Sequence, residues 1–260
     1  MTTGARGALL TVSIDLELDI EQQAQGRDGE LETVTTQLRE LLRRADIGAT
    51  WAVADPALSA ATQQILAAGM DHEIAVLGDR SWVGHGAGRA RFARELTRRV
   101  LCARAAGLPV TTLALRHAEL DEHLDLLVKT GISVVRGCTP ASGATRPTRS
   151  SWLRHGVWEA AATMSFPTPR RWFRFVDRWT ANRALRSAVR ERGSIHLVVD
   201  AARLVDSDGA GLRTIEMVLQ CASRLRDRGD LHIAPLRDLP SFHQPETTTT
   251  RLHSILRPAA

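Results

Sequence analysis

Tyrosine is absent from the 260 residues, lysine occurs once, as Lys129, and cysteine three times, as Cys102, Cys138 and Cys221. Thiols so few and so scattered exclude a disulfide framework and a clustered zinc site. No stretch approaches the roughly 20 consecutive apolar residues of a membrane span. Residues 1–20 lack the charged start and unbroken apolar core of an export signal. A cytoplasmic location without a membrane partner is therefore expected. The glycine signatures of nucleotide binding are missing too: no Gly-x-Gly-x-x-Gly follows the first apolar run, and no Gly-Lys-Ser/Thr loop occurs.

What is present is a chain with 43% hydrophobic and 24% charged side chains, enough for a sizeable core. The formal net charge is +5, carried by arginine spread over the whole chain. A charge this small points only weakly to an anionic ligand, and no nucleic-acid partner is expected.

An apolar run at 8–14 ends in Asp15-Leu16-Glu17. Residues 18–29 are polar, contain Gly26 and Gly29, and read as a loop. Leu31, Val34, Leu38, Leu41 and Leu42 recur at helical spacing within 30–45. Further strands are expected at 49–54, 72–77, 111–115, 132–135, 156–160, 195–199 and 231–234. Helices are expected before Gly69 and over 89–106, 120–129, 170–192 and 212–226, with a loop over 138–151. Strand and helix alternate about seven times, with crossovers long enough for parallel connections. The fold expected is α/β: a single distorted (β/α) barrel of about seven parallel strands over 8–240, with tails at 1–7 and 241–260.

Ligands of such folds gather at the carboxyl ends of the strands. Those ends supply Asp15, Glu17, Asp55, Asp79, Arg80, Arg116, His117, Arg136, Glu159 and Asp200. Carboxylates facing arginines suit a small polar or sugar-derived molecule. Asp15 and Glu17 stand out, because period two puts them on one strand face directly after a buried-looking run, where unpaired carboxylates are costly. His72 reads as a structural residue at a strand start, and His196 as a satisfied histidine of the barrel wall. The segment from Arg170 to Arg190 interleaves arginine with Trp172, Phe173, Phe175 and Trp179. It reads as an amphipathic helix, with homo-oligomer contact as its functional alternative.

Five stretches in order, "LLTVSIDLELD", "LRRADIGATWAVADPAL", "DHEIAVLGDRS", "ALRHAELDEHLDLLVKTGISVVRG" and "GSIHLVVDAARL…LQCASRLRDRGDLHIAPLRDL", resemble the polysaccharide deacetylases with a NodB-homology domain, carbohydrate esterase family 4. The resemblance covers about residues 8–240. It implies a distorted (β/α) barrel and, in active members, metal-dependent hydrolysis of an N-acetyl group on a sugar. Position by position, Asp15 matches the family's base and Arg116 the arginine of its third motif. Leu16 stands at the position of the metal-binding aspartate, with Glu17 one residue later. His72-Glu73-Ile74 is present, but Leu77 and Ser81 occupy the two histidine positions, and Asp200 replaces the final histidine.

Leucine has no lone pair to give a metal, and a neutral serine hydroxyl is a poor substitute for imidazole. The resemblance therefore implies a barrel without the family's standard metal site and without a cofactor. The expected function is metal-independent proton transfer, with Asp15 as general base, Glu17 as a second carboxylate and Arg116 as an anion holder. Asp79, Arg80, His117, Arg136, Glu159 and Asp200 would bind substrate. Two alternatives stand beside it. One is a non-catalytic ligand-binding or scaffold protein. The other is a metal-dependent N-deacetylase with an unconventional ligand set drawn from Asp15, Glu17, Asp79, His85 and His117.

Overall fold

The first strand sets the architecture through its alternation. In β1 (Ala8–Asp15), Ala8, Leu10, Val12 and Ile14 join an apolar cluster with the flanking helices, while Leu9, Thr11, Ser13 and Asp15 face the other way. A strand buried on both faces belongs in a sheet covered by helices outside and curled around a filled interior. The computed structural model bears this out. It describes residues 7–84, 86–116, 120, 123–137, 151–152, 154–167, 174–207 and 209–243.

β1 is followed by α1 (Ile20–Ala24), α2 (Asp28–Ala45), β2 (Thr50–Val53), α3 (Ala60–Leu66), β3 (Glu73–Gly78), α4 (Arg89–Ala105) and β4 (Thr112–Leu115). Next come α5 (Leu124–Thr130), β5 (Val134–Arg136), β6 (Ser151–Trp152), β7 (Trp158–Ala160) and β8 (Met164–Phe166). The chain then forms α6 (Arg174–Glu191), β9 (Ser194–Asp200), α7 (Ala201–Val205), α8 (Ala210–Asp227), β10 (Leu231–Ile233) and α9 (Leu239–His243). Eight parallel strands, rather than about seven, form the arc β7-β5-β4-β3-β2-β1-β9-β8. β10 pairs with the first half of β1, and β6 adds an antiparallel edge at β7.

The arc must curl. Arg136 on β5 and Asp15 on β1 are four strands apart, which would be roughly 19 Å in a flat sheet. Their side chains instead meet at 2.5 Å across the interior. Among the described residues no ladder joins β7 to β8, so the sheet is a half-barrel. Its lower interior is plugged by Leu9, Val134, Trp158, Ala160, Leu236 and Leu239. Thr50 and Thr112 donate to the buried carboxyl of Glu73 at 2.7 and 2.5 Å, and the Arg237 amide donates to it at 2.9 Å. That knot fastens the segment leading into α9 to three strands, and ordered structure runs past residue 240 to His243.

Three expectations need correction. The loop at 18–29 is mostly helix, because Gln22 replaces apolar periodicity with hydrogen bonds to the Ala202 carbonyl and Asp206. β8 went unseen because three residues cannot display a period. α7 was also unforeseen: the Asp200 side chain caps it by accepting from the Arg203 amide. The loop expected at 138–151 falls, except for Ser151, outside the described residues.

Candidate active site at the barrel mouth

Polar residues in β1 are period-two neighbours facing the lumen, and they form a column. The Thr11 hydroxyl lies 2.6 Å from His196 Nδ1, and the Ser13 hydroxyl lies 3.0 Å from His196 Nε2. His196 is fully enclosed, and burial followed by the neighbouring Arg136 cation holds its pKa well below the usual imidazole range. It is a neutral wall histidine, as expected.

Above it lies Arg136, 1% exposed. Its Nη1 donates to Ser13 at 3.0 Å and to Asp15 Oδ1 at 2.5 Å; its Nη2 donates to Asp15 Oδ2 at 3.0 Å and to the Leu115 carbonyl at 2.9 Å. The Nη donors of Arg136, expected to bind substrate, are spent on the wall and on Asp15. The pair is bidentate and buried, the geometry that fixes a carboxylate most firmly. Asp15 pairs in register with Asp200 on the adjacent strand.

Arg116 closes the second half of the mouth. It donates to the Glu17 carbonyl at 2.9 Å and to Asp19 at 2.7 Å, and lies 3.6 Å from Asp200. The Arg203 guanidinium also reaches Asp200, at 3.3 Å. Burial raises the Asp200 pKa above the ordinary aspartate range, against the pull of Arg116. The Nη groups of Arg116, expected to hold an anion, are thus engaged by protein acceptors.

Glu17 differs from all of these. β1 stops at Asp15, so Glu17 sits in the following turn rather than on a shared strand face. It is half-buried, and its carboxyl accepts no hydrogen bond from any described residue. Burial, then repulsion from Asp79, raises its pKa, with Arg116 and Arg99 opposing. Asp79 accepts from the Ser81 amide at 2.7 Å. Arg99 lies over the Trp82 ring, 4.5 Å from its centroid.

No family model matches the chain, and no curated protein matches it. Among solved structures, one described as a polysaccharide deacetylase from Mycobacterium smegmatis superposes with a TM-score of 0.70 at 13% identity, covering 100% of this chain and 97% of that one. The chain has the polysaccharide deacetylase fold. A second such structure, from Pseudomonas aeruginosa PAO1, gives 0.65 at 12% identity over 94% of this chain and 93% of that one. A 4-alpha-glucanotransferase from Thermococcus litoralis gives 0.59 at 9% identity, over 93% of this chain and 41% of that one.

In this deacetylase-fold barrel the sequence-named residues do not all converge. Asp15, Glu17, Arg116, Arg136 and Asp200 come together, with Asp79 beside Glu17. Arg80 is exposed at the rim. Glu159 does not join them: Trp158 and Ala160 fill the lumen, so Glu159 points to the opposite face of β7. His85 and His117 lie outside the described residues. The described donors do not fit the divalent ion the fold family implies. Leu16 and Leu77 are buried hydrocarbons, Ser81 is exposed, and Asp15 and Asp200 already face guanidinium groups. Among the described residues no three His, Cys, Asp or Glu side chains form a cluster able to hold a metal. Sequence reasoning passed over Thr11 and Ser13; polar residues at every second position of an apolar run were the available signal.

Proposed function

We propose that the mouth performs acid–base chemistry on a small polar, sugar-derived molecule, and that Glu17 rather than Asp15 moves the proton. The observation that carries this reading is the Glu17 carboxyl: half-buried, without a hydrogen-bond donor among the described residues, and raised in pKa. A carboxyl shifted upward spends more of the neutral range able both to give and to take a proton. Asp15, tied through both oxygens to Arg136, is the fixed anion of the site. Arg116 anchors the turn that carries Glu17 by holding its carbonyl oxygen. The fold neighbours named polysaccharide deacetylases support an acylated sugar derivative as substrate and hydrolysis as the reaction class.

In that reaction Glu17 accepts a proton from the attacking water and returns it to the leaving nitrogen. A second reading, binding without turnover, draws support from the engagement of Asp15, Asp200 and the Nη groups of Arg116 and Arg136 by protein partners. Acetate release from a panel of N-acetylated mono- and disaccharides separates the two. Turnover lost in Glu17→Gln, with substrate binding retained, supports the proposal. Turnover unchanged in that variant removes Glu17 from the chemistry, and binding without acetate release favours the second reading.

A further inference from the structure

The wall formed by α6 and α8 carries arginines that no described residue neutralises. On α6, Trp179, Arg183, Arg186 and Arg190 follow spacings of four, three and four, which puts them on one stripe. All four are exposed, Trp179 by 62%, while Ala181, Ala184, Leu185 and Ala188 on the opposite side are buried. The neighbouring helix α8, packed against α6, exposes Arg213 and Arg224, with exposed Arg228 just past its end. Arg183, Arg186, Arg192, Arg213, Arg224 and Arg228 form no ion pair with any described residue. On α2 and α4, by contrast, Arg43, Arg44, Arg89 and Arg98 each have a carboxylate. Composition explains why arginine is abundant. Arg39, Arg91 and Arg104 also form no ion pair with a described residue, but they are dispersed over α2 and α4, whereas six such arginines lie on this one wall.

From residue 179 to residue 190 the stripe runs about 17 Å along the helix axis. The axis of α8 lies roughly 8–10 Å away, so the cations spread over a plane two helices wide. Trp179 marks one end, with the Arg183 guanidinium 5.2 Å from its ring centroid. We infer that this wall docks the protein peripherally on an anionic phospholipid bilayer.

Three occupants compete for such a surface. A second copy of the chain across a two-fold axis would set this cationic wall against itself. The acidic residues nearby, Glu191 and Asp227, already lie beside Arg190 and Arg226. This argues against the homo-oligomer contact expected of this helix. A single nucleic-acid strand needs a groove with several stacking rings, and among the described side chains this wall offers one ring, which already holds a guanidinium. A bilayer is planar and anionic, and it accommodates tryptophan and arginine stems at headgroup depth. The expectation of no membrane partner gives way here to surface attachment. Among the described residues no helix is long and apolar enough to cross a membrane.

Co-sedimentation of the full chain with vesicles tests the inference. The protein should pellet with mixed phosphatidylcholine–phosphatidylglycerol vesicles, remain in solution with pure phosphatidylcholine, and be released by salt. Arg183→Ala with Arg186→Ala should lower the partition coefficient roughly 30-fold. Arg91→Ala with Arg94→Ala, on the α4 wall, should leave it unchanged. Equal binding to both vesicles, no binding, or equal loss in both double variants would overturn the proposal. So would tighter binding to a double-stranded DNA fragment, or an α6 variant that changes only the oligomeric state. Circular dichroism of each variant guards against misfolding.

Discussion

Replacing Arg136 by methionine strips the guanidinium from Asp15 while keeping most of the side-chain volume. Asp15 is 4% exposed, so its carboxylate would remain in the lumen without a cation. At about 3 Å and an effective dielectric of about 20, the pair's Coulomb attraction is about 5 kcal/mol. Relief of the guanidinium's own desolvation offsets part of that, and breaking one member of a buried pair costs about 3–5 kcal/mol. This is a large share of the roughly 5–15 kcal/mol that holds a domain folded. Asp15→Leu should cost a similar amount by stranding Arg136. The two changes together replace the pair by hydrocarbon, and the double variant should be more stable than either single one. Urea unfolding followed by the fluorescence of buried Trp51 and Trp82 measures all three. Losses that simply add would refute a coupled pair and, with it, the account of how Asp15 is held.

His72 accepts the Ala49 amide at Nδ1, and burial pushes its pKa down to about 4. The unfolded chain, with an imidazole near 6.5, protonates first. Stability therefore falls as pH drops from 6.5 towards 4, by roughly 3 kcal/mol, and His72→Asn should flatten that part of a melting-versus-pH curve. Glu73→Ala, which orphans two threonine hydroxyls and the Arg237 amide, should cost about 3 kcal/mol and expose the α9 segment to limited proteolysis. Burial raises the Glu73 pKa, so its ionisation becomes a burden above the ordinary glutamate value. Glu73→Gln, which cannot ionise, should therefore gain on the wild type as pH rises. Gly48→Ala should destabilise by about 2 kcal/mol or more in thermal melts, since a Cβ there would sit 2.3 Å from the Asp71 carbonyl oxygen.

Much of the barrel was legible because each long strand is a mostly apolar run and most helices show a 3.6-residue period. β8 and α1 were not legible, since one is too short for a period and the other is held by Gln22 across 180 residues of sequence. The mouth was legible as a set of strand ends: Asp15, Arg116, Arg136 and Asp200 were all named from position alone. Their pairing was not. Arg136 reaches Asp15 across 121 residues, and only the curl of the sheet decides which arginine meets which carboxylate. Glu17 was singled out for a period-two neighbourhood with Asp15. Its distinction lies instead in the turn beyond the strand, where no described residue donates to it.

The central claim concerns that one carboxyl, and carbon-13 NMR of the glutamate side chains over a pH series tests it directly. A resonance that disappears in Glu17→Gln and titrates above 4.5, the ordinary glutamate value, is the predicted result. A midpoint at or below that value would mean that Glu17 is an ordinary solvated carboxylate and that the mouth has no group poised to move a proton.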